Sequence, residues 1–195
     1  MSGSEHPFPL PPDLPVPTDD GAADHLTGVA LPRLALPSTA GGEVDLAALA
    51  GRTVVYAYPR TGVPGSALPP DWDAIPGARG CTPETCGFRD HYAELLAAGV
   101  DAVYGLSTQT TAYQLEMASR LGLPFGVLSD AELLLTAALR LPTFEVGGMT
   151  LLKRLTLVID DGRIERVFYP VFPPDRHAED VLARLRRPVS ADPAA

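Results

Sequence analysis

Apolar runs and helix-periodic segments alternate through the middle of the chain. Residues 53–58 form a continuous apolar, β-rich run, which predicts a buried central strand. Helices are predicted over 83–98 and 112–121, with a strand over 101–107 between them, and a further short strand over 125–128. A third helical pattern runs from Ala131 to Leu139. This β-α-β-α-β order predicts parallel strands with helices on both faces of the sheet.

The two ends of this region predict antiparallel pairing. Residues 34–46 contain a Gly-Gly turn between apolar triplets, which predicts a short hairpin. After a loop over 141–149, two strands, 151–159 and 163–169, are joined by Asp-Asp-Gly, a strong hairpin signal. A last helix is predicted from Asp175 to about Arg186. We therefore expect an α/β fold, a three-layer sandwich with a central mixed β-sheet, in which a strand followed by a cysteine-bearing helix is the thioredoxin-like arrangement.

Composition changes along the chain and sets the expected domain limits. Residues 1–28 are rich in Pro and Asp and are predicted to be an extended or disordered arm, and residues 188–195 a disordered tail. The domain is expected over 29–187. Within it, residues 60–79 contain four prolines, three glycines and the only tryptophan, Trp72, and show no helix or strand pattern. Because such long loops are usually functional, we interpret it as a wall or lid, with a surface insertion as the alternative.

Charge and cysteine usage exclude several classes of function. The net charge of −9 argues against nucleic acid or an anionic membrane as the main partner. Neither a signal peptide nor a membrane span is predicted from the sequence. Four scattered histidines offer no metal-ligand spacing. Two cysteines are too few for a disulfide scaffold, which favours a reducing, cytoplasmic location where cysteine pairs tend to be catalytic or redox-sensing.

Those two cysteines, Cys81 and Cys86, are the candidate chemistry. Thr82 and Pro83 are typical of a helix start, which places Cys81 at or just before the first helical turn. Free backbone N–H groups and the helix dipole favour an anion there, so we expect Cys81 to ionise more easily than a free thiol.

The spacing of the two cysteines constrains their pairing. Residues five apart in an ideal helix have Cα atoms about 8.6 Å apart, whereas a disulfide needs roughly 7 Å or less. A bridge between Cys81 and Cys86 therefore requires the first turn to unwind, as in a redox cycle. The alternative is that both are ordinary buried thiols.

Residues 80–90 resemble the active-site sequence of the peroxiredoxins, in the bacterioferritin comigratory (Q-type) group. Their sequence is Gly-Cys-Thr-Pro-Glu-Thr-Cys-Gly-Phe-Arg-Asp. Tyr58-Pro59 is similar to that family's strand end, and Arg154-Leu155-Thr156 to its Arg-x-Thr. The family's Pro-x-x-x-Thr-x-x-Cys loop departs here, since Ala74 and Ala78 hold the proline and threonine positions. We interpret the long loop as an insertion that leaves Thr61 to supply the hydroxyl.

The resemblance implies a thiol-dependent peroxidase. Cys81 would attack the peroxide and become a sulfenic acid, Cys86 would resolve it as an intramolecular disulfide, and Arg154 and Thr61 would assist. It further implies that Pro59, Gly80 and Glu84 surround the substrate. The implied partners are a peroxide and a thioredoxin-like dithiol donor. No cofactor is expected. A monomer is expected, because the disulfide forms within one chain.

Two other functions stay open from the sequence. A protein thiol–disulfide oxidoreductase is disfavoured because it usually carries C-x-x-C. A redox sensor or binding protein could use the same Cys81–Cys86 bridge as a switch. A plain structural role is the alternative for Arg154, as a surface salt bridge, and for Glu84, as a first-turn carboxylate.

Overall fold

The computed structural model describes residues 10–187. In chain order the strands are β1 (Ala35–Pro37), β2 (Glu43–Asp45), β3 (Arg52–Ala57), β4 (Ala102–Ser107), β5 (Val127–Ser129), β6 (Thr143–Val146), β7 (Met149–Leu152), β8 (Leu155–Asp160) and β9 (Arg163–Phe168). The helices are α1 (Cys81–Asp90), α2 (Tyr92–Ala97), α3 (Thr111–Leu121), α4 (Leu134–Leu139) and α5 (His177–Leu185). Single 3₁₀ turns lie at Leu46–Ala48, Trp72–Ala74 and Pro174–Arg176.

A five-stranded mixed sheet in the order β5-β4-β3-β8-β9 forms the centre. Strands β3, β4 and β5 are parallel, whereas β8 and β9 run antiparallel to their neighbours. The predicted mixed sheet, the Gly-Gly hairpin β1–β2 and the hairpin β8–β9 are therefore confirmed.

Two apolar clusters cover the two faces of this sheet. Alternation along β3 sends Val54 and Tyr56 to the face covered by α1, α3 and α5, and Val55 and Ala57 to the opposite face. On that opposite face lie α4, the β1–β2 hairpin and the segment before it. This is the predicted three-layer arrangement, and it holds α1 with its two cysteines directly on the sheet.

The predicted loop over 141–149 is wrong, because it contains β6 and a turn that leads into β7. Gly147 and Gly148 both have positive φ values, 56° and 74°, and form the turn of this two-stranded hairpin. The predicted strand 151–159 is consequently two strands, and Lys153 and Arg154 lie in the gap between them.

The predicted helix 83–98 is divided at His91 into α1 and α2. The third predicted helix starts late, at Leu134. Its first turn is nevertheless held by Asp130, whose carboxylate accepts hydrogen bonds from the backbone N–H groups of Leu135 (3.0 Å) and Thr136 (2.7 Å). The last helix starts at His177 without a side-chain cap, so Asp175 does not cap it.

The N-terminal segment packs against the domain from residue 10 onward. It contains neither helix nor strand before residue 30, but Ala23 and Leu26 are buried in the core, so the core begins ahead of the expected boundary at residue 29. Residues 1–9 and the predicted tail 188–195 lie outside the described residues. Across residues 10–187, every helix is too short or too polar to cross a membrane.

Candidate active site

Cys81 is the first residue of α1, as the sequence predicted. The residue that precedes the helix is Gly80, and Thr82 is already inside it. Gly80 adopts φ +107°, a conformation that L side chains rarely adopt, and a Cβ there would lie 2.3 Å from Cγ of Pro174. A glycine is therefore required at this position to bring the sulfur to the helix N-terminus.

Arg154 lies beside this sulfur, although the two residues are far apart in the chain. It sits in the short gap between β7 and β8, not within a strand, and only 3% of the residue is exposed. Its Nη2 lies 3.3 Å from Sγ of Cys81 and also donates to the carbonyl oxygens of Gly77 (3.2 Å), Ala78 (3.4 Å) and Arg79 (3.3 Å). This burial excludes the alternative of a surface salt bridge.

Glu84, one turn into α1, completes a buried charged cluster. Its Oε2 accepts a hydrogen bond from Nη1 of Arg154, and both side chains are almost wholly buried. Burial raises the pKa of Glu84 to about 7, against the lowering effect of Arg154. Glu84 therefore has a specific partner, the candidate catalytic arginine, and does more than interact with the helix dipole as a first-turn carboxylate.

The Cys81 thiol does not meet the expectation of easy ionisation. Burial raises its pKa above the ordinary value for cysteine, and the carboxylate of Glu84 acts in the same direction. The charge and hydrogen bond of Arg154 lower the pKa, as does hydrogen bonding to the Arg60 backbone, without overcoming burial. Arg154 is the group that most favours ionisation of the buried sulfur.

A cavity of about 510 Å³ opens onto Cys81. Its wall is built largely by the loop over 60–79, as predicted, including Trp72, which is buried against Ala78 and Leu151. Three predicted site residues, Thr61, Gly80 and Cys81, line it. Pro59, also predicted to be near the substrate, is buried at the end of β3 and is not among the lining residues.

Ala78, at the threonine position of the family motif, has no hydroxyl, but its backbone carbonyl accepts hydrogen bonds in the site. The Ala78 carbonyl accepts from the Cys81 thiol at 3.5 Å and from Arg154. Thr61 is 2% exposed, and its carbonyl accepts a 2.7 Å hydrogen bond from the hydroxyl of Tyr113, which fixes the local backbone.

Cys86 lies on the same helix in a different environment. It is fully buried in the apolar cluster between the sheet and helices α1, α3 and α5, and both cysteines are free thiols. Burial raises its pKa, while the nearby Arg89 lowers it. Arg89 itself pairs with Asp90 and donates to the Leu121 carbonyl, which is a structural role.

Sequence reasoning missed the groups that act through the backbone or through distant packing. The carbonyls of residues 77–79 carry no residue-type signal, and Arg60 was hidden in a loop without a pattern. Two side chains that line the cavity, Arg79 and Arg120, were also missed, since their positions follow from the loop's path. Among residues 10–187, no three His, Cys, Asp or Glu side chains are grouped to hold a metal ion.

Comparisons with known proteins agree with this geometry. The family model described as Redoxin matches residues 26–182. Peroxiredoxin Bcp of Escherichia coli K12 is 32% identical over 160 residues, covering 80% of this chain and 92% of that protein. Peroxiredoxin Q of rice chloroplasts is 30% identical over 82% of this chain, which spans only 66% of the rice protein's length.

Solved structures show the same fold. Peroxidoxin BcpB from Mycobacterium tuberculosis superposes with a TM-score of 0.66 at 29% identity, covering 83% of this chain and 97% of that one. Bacterioferritin comigratory protein from Xanthomonas campestris, described for its alkyl peroxide reduction activity, has a TM-score of 0.61 at 22% identity, over 89% of this chain and 98% of that one. From the matched domain and these relatives, together with Arg154 beside the cysteine that begins α1, the chain belongs to the Redoxin family, as a peroxiredoxin of the Bcp/Q group.

Proposed function

We propose that this protein is a thiol-dependent peroxidase that reduces hydrogen peroxide or organic hydroperoxides. The observation that carries the proposal is the sulfur of Cys81 at the start of α1, 3.3 Å from Nη2 of Arg154 and facing a cavity of about 510 Å³. The nucleophile thus has space for a small substrate on one side and a fixed cation, which does not itself line the cavity, on the other.

In the first step the Cys81 thiolate attacks one peroxide oxygen. The S–O bond forms as the O–O bond breaks, and the departing oxygen takes a proton to leave as water or an alcohol. Arg154 stabilises both the thiolate and the negative charge that develops on the departing oxygen. Glu84 holds the guanidinium in place, and Thr61, in the cavity wall, is the candidate to orient the peroxide with its hydroxyl.

In the second step Cys86 attacks the sulfenic acid on Cys81, and the disulfide forms as water leaves. Both residues are helical, with ideal Cα positions about 8.6 Å apart, so the first turn of α1 has to unwind for the sulfurs to meet. An external dithiol of the thioredoxin kind then restores both thiols by exchange.

This cycle needs no bound cofactor, because the electrons come from the dithiol. It is also complete within one chain, which supports a monomer. A dithiol donor is most available in a reducing compartment, which supports a cytoplasmic location.

The test is peroxide consumption by the wild type, Cys81→Ser and Cys86→Ser. We expect no activity without Cys81. Without Cys86 we expect one equivalent of peroxide to be consumed, with weak turnover when thioredoxin is the donor. Full activity of Cys81→Ser would falsify the assignment.

One observation supports a redox switch as a second candidate. Both thiols are buried and both have raised pKa values, which favours slow oxidation. A switch predicts that the disulfide forms with peroxide but is not turned over rapidly by thioredoxin. Steady-state consumption separates the two functions, and insulin reduction separates both from a protein thiol–disulfide oxidoreductase.

A further inference from the structure

The cavity at Cys81 is larger and more basic than hydrogen peroxide requires. Its volume of about 510 Å³ is in the range of sites that hold organic molecules. Three arginines line it, Arg60, Arg79 and Arg120, and within residues 10–187 no acidic residue does. The chain as a whole has a net charge of −9, so this basic wall is a local feature. It offers a partner to an anionic group.

Two of the three arginines are already paired with carboxylates. Nη1 of Arg79 lies 3.1 Å from Oδ1 of Asp73, and Nε of Arg120 lies 2.7 Å from Oε1 of Glu116. Both pairs are partly exposed, and each carboxylate offsets the charge of its arginine. Neither arginine alone is therefore the expected partner of an anion.

Arg60 differs because no carboxylate balances it. Its Nη1 donates to Gln109 Oε1 (3.3 Å) and to Met149 Sδ (3.1 Å), and its guanidinium carbon lies 4.6 Å from the ring centre of Tyr113. These three neighbours are uncharged. Its Nε and Nη2 donate to no protein group within residues 10–187, and neither atom is buried. Two donors on one edge of the guanidinium are thus accessible to a ligand.

Arg60 also lies close to the reacting sulfur. Its backbone hydrogen-bonds to Cys81, so its side chain starts beside the thiol and lines the same cavity. An extended arginine side chain is about as long as a para-substituted benzene ring. A substrate of that size can therefore meet the sulfur at one end and the guanidinium at the other. Apolar lining residues, Val63, Leu68 and Trp72 among them, suit its body.

We propose that the preferred substrates are hydroperoxides that carry a carboxylate on a compact apolar body, and that Arg60 is the residue that selects them. This inference rests on the proposed function. Nε and Nη2 of Arg60 form the fork that binds a carboxylate through two hydrogen bonds. The Cys81 thiolate forms the S–O bond as the O–O bond breaks, and the departing oxygen takes a proton. The product is an alcohol that still carries the carboxylate.

The experiment compares two substrates that differ by one carboxylate, cumene hydroperoxide and its para-carboxylate. Stopped-flow kinetics give the rate constant for Cys81 oxidation by each. At low ionic strength we expect the carboxylate to react about tenfold faster with the wild type. The ratio should fall towards one in about 0.5 M NaCl, because salt screens a half-exposed charge. A ratio of one or less at low salt would overturn the proposal.

Variants at Arg60 test which residue is responsible. Arg60→Met should bring the ratio to about one, and Arg60→Lys, which keeps the charge but loses the fork, should keep part of the preference. Arg33→Met, at an exposed ion pair with Asp45 outside the cavity, should leave the ratio at the wild-type value. The ratio cancels any effect on the thiolate itself, which both substrates share. A wild-type ratio in Arg60→Met would refute the assignment.

A binding test without peroxide separates this inference from the proposed function. 4-Isopropylbenzoate has the ring and the carboxylate but no O–O bond, and it should protect Cys81 from alkylation by iodoacetamide. Its uncharged isostere 4-isopropylbenzamide should protect about tenfold more weakly, and protection by the benzoate should be lost in Arg60→Met. If neither hydroperoxide oxidises Cys81 but the benzoate protects it, the proposed function fails and the anion site is retained. If both hydroperoxides react equally and the benzoate does not protect, only this inference fails.

Discussion

Helix α1 carries two thiols in contrasting surroundings, one at its first residue and one near its middle. Cys81 begins the helix, beside a buried guanidinium and at the end of a cavity. Cys86, five residues later, lies among apolar side chains between the helix and the sheet. Burial raises the pKa of both thiols, but only at Cys81 does an arginine in hydrogen-bond contact oppose it.

In the proposed cycle, this difference separates two roles along one helix. The charge beside the first cysteine comes from Arg154 in the β7–β8 gap. The second cysteine is packed away from it, so we expect the step that joins them to depend on the stability of the helix start. The predictions below test each half of this contrast.

The largest effect is expected when the charge beside Cys81 is removed. Because Arg154→Met alone would strand Glu84 without a partner, the variant is Arg154→Met with Glu84→Gln. We expect the rate of peroxide reaction to fall about 100- to 1,000-fold, and the pH profile of Cys81 alkylation to move to higher pH. Stopped-flow kinetics and iodoacetamide labelling measure these, with Arg33→Met, at an exposed ion pair, as the control. A double variant as fast as wild type would contradict the assignment of Arg154.

The next effect is a pH dependence of stability. The pKa of Glu84 is about 7 in the folded protein and about 4.3 in an unfolded chain, so the folded state binds more protons between these values. This group therefore makes the free energy of unfolding fall as pH rises from about 4.5 to 7, by at most about 3 kcal/mol.

Burial lowers the pKa of His177 to about 3, so this group contributes a slope of the opposite sign over much of the same range. The test is therefore the difference in unfolding free energy from wild type, measured by urea unfolding at a series of pH values. In Glu84→Gln this difference should shift in favour of the variant by about 3 kcal/mol between pH 4.5 and 7, and in the exposed control Glu43→Gln it should stay constant. A constant difference in Glu84→Gln would show that Glu84 does not contribute this slope.

An effect of similar size is expected at Gly80, the residue that precedes the helix. Gly80 and Gly28 both have positive φ, 107° and 83°, but an added Cβ meets Pro174 only at Gly80 and nothing within 4 Å at Gly28. Gly28→Ala should therefore lose roughly 1 kcal/mol of stability by backbone strain, and Gly80→Ala roughly 2–4 kcal/mol.

Only Gly80→Ala should also slow the peroxide reaction, since it displaces the sulfur. Thermal unfolding and stopped-flow kinetics give the two readouts. Equal losses of stability in Gly80→Ala and Gly28→Ala would mean that the added methyl group at residue 80 does not clash with Pro174.

The smallest effect is expected from strengthening the helix near Cys86. Gly87→Ala raises helix propensity, and its Cβ would lie 3.4 Å from that of Ala178 on α5, close to ordinary contact. Disulfide formation should slow about two- to fivefold, with attack on peroxide unchanged. The control is Ser119→Ala, at an exposed position of α3, which should leave both rates as they are. Faster disulfide formation in Gly87→Ala would contradict control by helix stability.

Much of the fold followed from local patterns that tertiary packing did not oppose. The buried run of β3, the Asp-Gly turn of β8–β9, and α3 with Thr110 and Gly122 at its two ends were all predictable. The hairpin β6–β7 was not, because Pro142 and two glycines are as typical of a loop as of a tight turn. The division of the predicted helix at His91 could not be predicted either, because no glycine or proline lies at that position.

The grouping of three site residues was predicted, but not its energetics. Cys81, Arg154 and Glu84 do lie together, and the family resemblance of residues 80–90 and of Arg154-Leu155-Thr156 indicated this. The raised pKa of Cys81 could not be foreseen, because burial depends on how the loop over 60–79 closes over the helix. For the same reason, the place of Thr61 in the cavity wall needed the folded structure.

The N-terminal segment has a consequence for handling this protein. Pro17 lies 3.7 Å from where a Gly77 side chain would begin, and Leu10 lies 3.2 Å from the corresponding point of Gly80. Leu10 and Pro17 therefore pack against the stretch that leads into the sulfur of Cys81. We expect an affinity tag fused upstream, or proteolytic trimming during purification, to change the rate at which that stretch rearranges in the proposed cycle.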